Sequence, residues 1–118
     1  MNTNEEIAEA LVALLRTGNF EEAVKTFFDK DAISTEPESS NIPEVKGLDA
    51  ILEKGEQFRN SVEAWHGIMV SGPIISENFF AIQLKVDLTF KGQEPSSMDE
   101  IIVYQLVEGK IKKEQFFY

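Results

Sequence analysis

Residues 80–90 read Phe-Ala-Ile-Gln-Leu-Lys-Val-Asp-Leu-Thr-Phe: Phe80, Ile82, Leu84, Val86, Leu88 and Phe90 alternate with Ala81, Gln83, Lys85, Asp87 and Thr89. Successive side chains of a strand point to opposite faces, so a period of two describes a long strand with one buried face. Strands are expected on either side of it. Val62–Ser76 predicts one, bent or bulged at Gly72-Pro73. Residues 97–107 and 111–118 predict two more, joined by a tight turn at Glu108-Gly109-Lys110. Strands in sequential order need only hairpins, so the sheet built mainly from residues 62–118 is expected to be antiparallel.

The first half has the helical period instead. Ile7, Leu11, Leu14 and Leu15 form one stripe over residues 5–17, opened by Thr3 and Glu6 in the pattern of a capping box and closed by Gly18. Asn19 is placed to cap a second helix whose buried face is Ala23, Val24, Phe27 and Phe28. Residues 32–36 predict a short strand stopped by Pro37, and the stretch that follows, with Pro37 and Pro43, reads as a loop. A third helix follows Gly47, with Leu48, Ile51, Leu52, Gly55 and Phe58 on one side; Gly55 in that stripe suggests close helix packing. Helices first and a strand meander after them give an α+β class, one sheet packed against helices gathered on one side.

Composition narrows the function. Eleven basic residues against twenty-one acidic ones leave a formal charge of −10 over 118 residues, which disfavours nucleic acid and anionic membranes as partners. With no cysteine there is no disulfide, thiolate metal site or cysteine nucleophile, and the single histidine, His66, excludes any site that needs two imidazoles. No apolar run approaches the ~18 residues of a membrane span. The acidic start, MNTNEEIAEALVALLRTG, lacks the pattern of a secretory signal, so a cytoplasmic address is expected. GxSxG, GxGxxG and Walker motifs are missing, and no cofactor is expected.

The order of elements, with Asp31-Ala32-Ile33, Glu36-Pro37, Gly47-Leu48-Asp49-Ala50-Ile51 and Glu108-Gly109-Lys110-Ile111, resembles the SnoaL-like proteins of the ketosteroid isomerase and nuclear transport factor 2-like superfamily. The resemblance covers nearly the whole chain, as a single domain over residues 1–118. It implies a cone: a strongly curved antiparallel sheet wrapped over three N-terminal helices, with a cavity open at one end. Members include isomerases, cyclases, dehydratases, hydrolases and transport adaptors, so the fold leaves the function open.

The comparison with ketosteroid isomerase turns on three positions. Glu36 before Pro37 matches the catalytic base, one methylene longer, but the two oxyanion donors would fall near Val12 and at Ile102, which donate nothing. Steroid isomerisation is therefore not expected. If Ile102 faces inward, Glu100, Tyr104 and Leu106 share its face; the same resemblance turns Lys112, Glu114, Phe116 and Tyr118 inward. On the strand from Val62, His66 has the parity of Ile68 and Val70. Glu36, His66, Glu100 and Glu114 are thus the candidate proton-handling groups. Phe28, Phe58, Phe80, Met98, Ile102, Tyr104 and Phe116 are candidates for the lining of an apolar pocket, with Trp65 as a space-filler.

A desolvated glutamate beside an imidazole suits general acid–base work of an isomerase, cyclase or hydrolase type on a small apolar organic molecule. One imidazole with two carboxylates would also hold a divalent ion, but no metal motif such as HExxH is present, and no metal is expected. The alternative is a non-catalytic ligand-binding or adaptor domain. Ile101, Val103, Val107 and Phe117 alternate with the inward set, and an apolar row on the outer face predicts a homodimer through the sheet.

Overall fold

The computed structural model describes residues 3–118. Helix α1 (Asn4–Arg16) begins with the expected capping box: Thr3 Oγ1 accepts from the Glu6 amide and Glu6 Oε1 accepts from the Thr3 amide. It ends before Gly18, whose φ of 78° is the left-handed region that glycine enters without steric cost. Helix α2 (Phe20–Phe27) follows at once, but Asn19 makes no cap; its Nδ2 donates to Thr17 Oγ1 at 2.6 Å. Helix α3 (Leu48–Ser61) is the third.

Strand β1 (Phe28–Thr35) starts four residues before the expected position, so Phe28 belongs to a strand and not to the second helix. Asp29, Lys30 and Asp31 conceal it in the sequence, because this half of the strand lies partly in solvent. A 3-10 turn (Glu38–Ser40) and β2 (Val45–Lys46) occupy the proline-containing loop. Strands β3 (Val62–Val70) and β4 (Ile74–Ile75) replace the single bent strand, with the break over residues 71–73. Strands β5 (Phe79–Phe90), β6 (Pro95–Val107) and β7 (Lys110–Phe117) complete the meander.

The sheet runs β2-β1-β7-β6-β5-β3, with β4 paired to β5. Pairing is antiparallel throughout residues 62–118, as expected, but β1 lies parallel to β7, with Ser34 opposite Glu114. The sheet is therefore mixed, not purely antiparallel. Its physical basis is the α2–β1 junction: β1 leaves α2 with no intervening loop and enters the sheet beside the last strand. The curved sheet does not close, and its concave face covers the three helices in the α+β cone arrangement.

The core lies between them. Ile7, Leu11, Val12 and Leu15 of α1 and Ala23 and Phe27 of α2 pack with Phe80, Ile82, Leu88, Ile102, Leu106 and Ile111 of the sheet. Gly55 does not mediate close helix packing. Outside its own helix backbone, the nearest atoms to an added Cβ would belong to Arg59, and the glycine faces a cavity. Among the described residues, no helix is long and apolar enough to cross a membrane.

Candidate functional site

A cavity of about 510 Å³ lies between the three helices and the strands. Most of its wall is apolar: Leu11, Leu15, Phe28, Ile51, Phe58, Leu84, Val86, Met98, Ile102 and Phe116. Its polar groups come from separate elements: Glu21 of α2, Glu36 after β1, Lys54, Gln57 and Arg59 of α3, Glu100 and Tyr104 of β6, Glu114 of β7 and the terminal Tyr118.

Glu36 holds its place as half of an ion pair. Lys54 Nζ donates to Glu36 Oε2 at 2.6 Å, and the Tyr118 hydroxyl donates to Glu36 Oε1 at 2.8 Å. The pair is sheltered, with side-chain exposures of 8% for Glu36 and 23% for Lys54. The same ammonium donates to Ser34 Oγ at 3.0 Å, and Ser34 in turn donates to Glu114 Oε1 at 2.7 Å. Lys54 also stands 5.1 Å from the Phe116 ring centroid, within reach of its π face. One chain of polar contacts thus runs from Tyr118 through Glu36, Lys54 and Ser34 to Glu114.

Glu100 stands outside that chain. It retains 9% of its exposure, and no hydrogen bond or ion pair reaches its carboxyl among the described residues. The buried Tyr104 hydroxyl likewise has no partner there. Yet among the described residues no polar side-chain atom is sealed away without one, so both groups open onto the cavity they line. Burial, reinforced by the nearby charges of Glu36 and Glu114, pushes the Glu100 carboxyl up to about 7, against a smaller opposing pull from Lys54. Glu114 is also pushed up to about 7, chiefly by burial, while the Ser34 hydrogen bond and Lys54 work the other way. Burial raises the Tyr104 phenol too, so it stays a neutral O–H donor at physiological pH.

The structure brings together Glu36, Glu100 and Glu114, and with them Phe28, Phe58, Met98, Ile102, Tyr104 and Phe116. It separates three other residues from them. His66 is exposed and outside the cavity: Trp65 stands opposite Leu88 and Gly67 opposite Asp87, so His66 is the extra residue of a β-bulge. The bulge reverses parity, placing Trp65 on the cavity wall and the His66 ring beside Thr89, with Nε2 2.7 Å from Oγ1. Phe80, only 1% exposed, lies behind the wall, stacked on Tyr104 with centroids 4.7 Å apart. Lys112 is set off by a further irregularity, between Gln105 and Leu106 of β6; it pairs with Asp29 of the neighbouring strand β1 at 3.3 Å.

Lys54, Ser34 and Tyr118 complete the polar set, and sequence reasoning singled out neither Lys54 nor Ser34. A signal for Lys54 existed. It lies three residues after Ile51 and four before Phe58, inside the apolar stripe of α3, where a charged side chain needs a partner. Among the described residues, no group of three or more His, Cys, Asp or Glu side chains is arranged to hold a metal ion.

The comparisons with known proteins agree with this architecture. A Mesorhizobium loti crystal structure, called both a SnoaL-like polyketide cyclase and a carbohydrate phosphatase, superposes with a TM-score of 0.92 at 31% identity, covering 99% of this chain and all of that one (100%). A nuclear transport factor 2-like protein of unknown function from Burkholderia pseudomallei gives 0.81 at 11% identity, over 100% of this chain and 92% of that one. A Pseudomonas putida protein described as a polyketide cyclase gives 0.74 at 15% identity, over 100% and 92%. The last two likenesses show the fold alone. No curated protein matches the sequence. The SnoaL-like domain model matches residues 2–118, and the chain, a small-molecule-binding fold with an apolar cavity, belongs to the SnoaL-like family.

Proposed function

We propose that the cavity carries out general acid–base chemistry on a small, largely apolar organic molecule, with Glu100 as the group that takes and returns the proton. The observation that carries this reading is the state of Glu100: buried, without a partner, open to the cavity and titrating near neutrality. A base is most effective when its pKa lies close to the working pH. Glu36, the match to the isomerase base, has donors on both oxygens and serves here to hold Lys54. Lys54 uses two N–H bonds on Glu36 and Ser34, leaving the third of its ammonium donors for a substrate oxygen. With the Tyr104 hydroxyl it supplies the oxyanion stabilisation that Val12 and Ile102 do not. Proton transfer of this kind is common to isomerisation, cyclisation and hydrolysis.

The test uses 2-tetralone in deuterated water. Glu100 removes a proton from the carbon beside the carbonyl, charge develops on the oxygen facing Lys54, and deuterium returns to the carbon. NMR should show exchange accelerated by the protein, with a rate that rises as Glu100 ionises through about pH 7. Glu100→Gln should reduce it by ~10²–10⁴-fold. His66→Gln should leave it unchanged, because His66 is outside the cavity. Full exchange by Glu100→Gln sinks the assignment. Binding of the ketone without exchange leaves a ligand carrier in place of an enzyme.

Self-association through the outer sheet face is part of the same proposal. Ile101, Val107 and Phe117 are exposed there at 43%, 43% and 47%, and Ile101 stands opposite Phe117 in the register. Phe79 extends the patch from β5. A twofold axis would bury one such patch against its copy and leave the cavity free on the other face. Light scattering at micromolar concentration should give twice the 13.3 kDa chain mass. Ile101→Lys should return a monomer; a monomeric wild type removes the dimer.

A further inference from the structure

We infer that the molecule the cavity is built to hold carries a single positive charge, a protonated amine on an aromatic or alicyclic body. The inference rests on the reading above that Glu100 faces the bound molecule, and it adds that molecule's charge. Four carboxylates line the cavity, Glu21, Glu36, Glu100 and Glu114, against two cations, Lys54 and Arg59. The cations are already engaged. Lys54 is bound to Glu36 at 2.6 Å, and Arg59 lies 4.0 Å from Glu21 at the rim. Glu114 has its Ser34 hydrogen bond, so Glu100 is the carboxyl with nothing opposite it. A buried carboxylate without a counter-charge is disfavoured in the empty protein, and an ammonium placed beside it supplies both the charge and the hydrogen-bond donors it lacks.

The rest of the wall suits the other end of such a molecule. Trp65 stacks on Phe20 at 5.9 Å and meets Phe58 edge-on at 6.1 Å, and all three line the cavity. Aromatic faces accept an apolar body and tolerate a nearby cation. The formal charge of −10 on the chain favours the approach of a cation and opposes that of an anion.

Trp65 is the only tryptophan in the chain, so its fluorescence reports occupancy directly. Titrations with phenethylamine, its neutral isostere 2-phenylethanol and the anion phenylacetate compare three charges on one body. The expected result is amine binding at least ~10-fold tighter than alcohol, and anion binding weaker than both. Glu100→Gln should remove the amine's advantage over the alcohol. A second measurement does not depend on that variant. Protons and the ammonium compete for Glu100, so the amine's affinity should rise between about pH 6 and about pH 8 while the alcohol's stays level. Glu36, Glu114, Lys54 and the neighbouring Asp99 act on the charge of Glu100, and the phenols of Tyr104 and Tyr118 feel it in turn. Of these Glu114 titrates in the same range, and Glu114→Gln should keep the amine's pH dependence. Equal binding of amine and alcohol overturns the charge inference and leaves the cavity reading standing. No fluorescence response to any of the three probes overturns both.

Discussion

Raising the pH from about 5 to about 8 should destabilise the folded chain, the reverse of the usual behaviour of a protein whose carboxylates are salt-bridged. Glu100 and Glu114 are each pushed up to about 7 in the fold, from the ordinary glutamate value of 4.5. Below 4.5 both states hold these protons. Between 4.5 and about 7 the unfolded chain has released them while the folded chain keeps them, so stability falls as pH rises and levels off above about 7. At ~1.4 kcal/mol per pKa unit, each group contributes roughly 3 kcal/mol of loss, and because ionising one makes the other harder to ionise, the second part of the loss extends to higher pH. Exposed Glu6 and Glu21 and the half-buried Asp29 have lowered values, so their opposing effect falls below this window. Urea denaturation across the range checks the slope. Glu114→Gln and Glu100→Gln should each flatten it, and a stability that rises from about pH 5 to about pH 8 would exclude the burial argument.

The second large effect is expected at Lys54. Lys54→Met keeps much of the packing volume but leaves Glu36 in a site with 8% side-chain exposure and no counter-charge, next to two more carboxyls. Removing one partner of a buried pair typically costs ~3–5 kcal/mol. Two features separate this from ordinary loss of packing. The deficit should shrink at about pH 5, where Glu100 and Glu114 are protonated and no longer repel Glu36. The double variant Lys54→Met/Glu36→Gln should recover much of it, since no charge is then left alone. Thermal denaturation of the single and double variants decides; equal losses in both would mean that the ion pair contributes nothing.

What was legible in the sequence follows from which signals are local. Alternation over residues 80–90 and the stripe of α1 each lie within one element, and both appear in the structure as read. Parity carried from Ile102 placed Glu100 and Tyr104 correctly, because β6 keeps its register against β5 from Phe79–Gln105 to Thr89–Pro95. The same rule failed at His66 and Lys112, where one inserted residue shifts the face; Gly67 beside His66 was the available mark of the first, and Lys112 has none next to it. The parallel contact between β1 and β7 was illegible because pairing partners leave no trace in the period of either strand. Lys54 was passed over because a lysine on a helix usually lies in solvent, and only its neighbours Ile51 and Phe58 contradict that.

The seam between β1 and β7 also sets an order in time. Ser34 meets Glu114 across 80 residues and Glu36 meets Tyr118 across 82, whereas the β6–β7 turn closes over two, Glu108 and Gly109. The entropy lost in closing a loop grows with its length, and distant pairings form slowly. Hairpins can therefore assemble early from local contacts, bringing Glu100, Tyr104 and Glu114 to one face of β6–β7, while Ser34 and Glu36 join them only when the seam shuts. An incompletely folded chain has one wall of the cavity and lacks the ion pair that closes it.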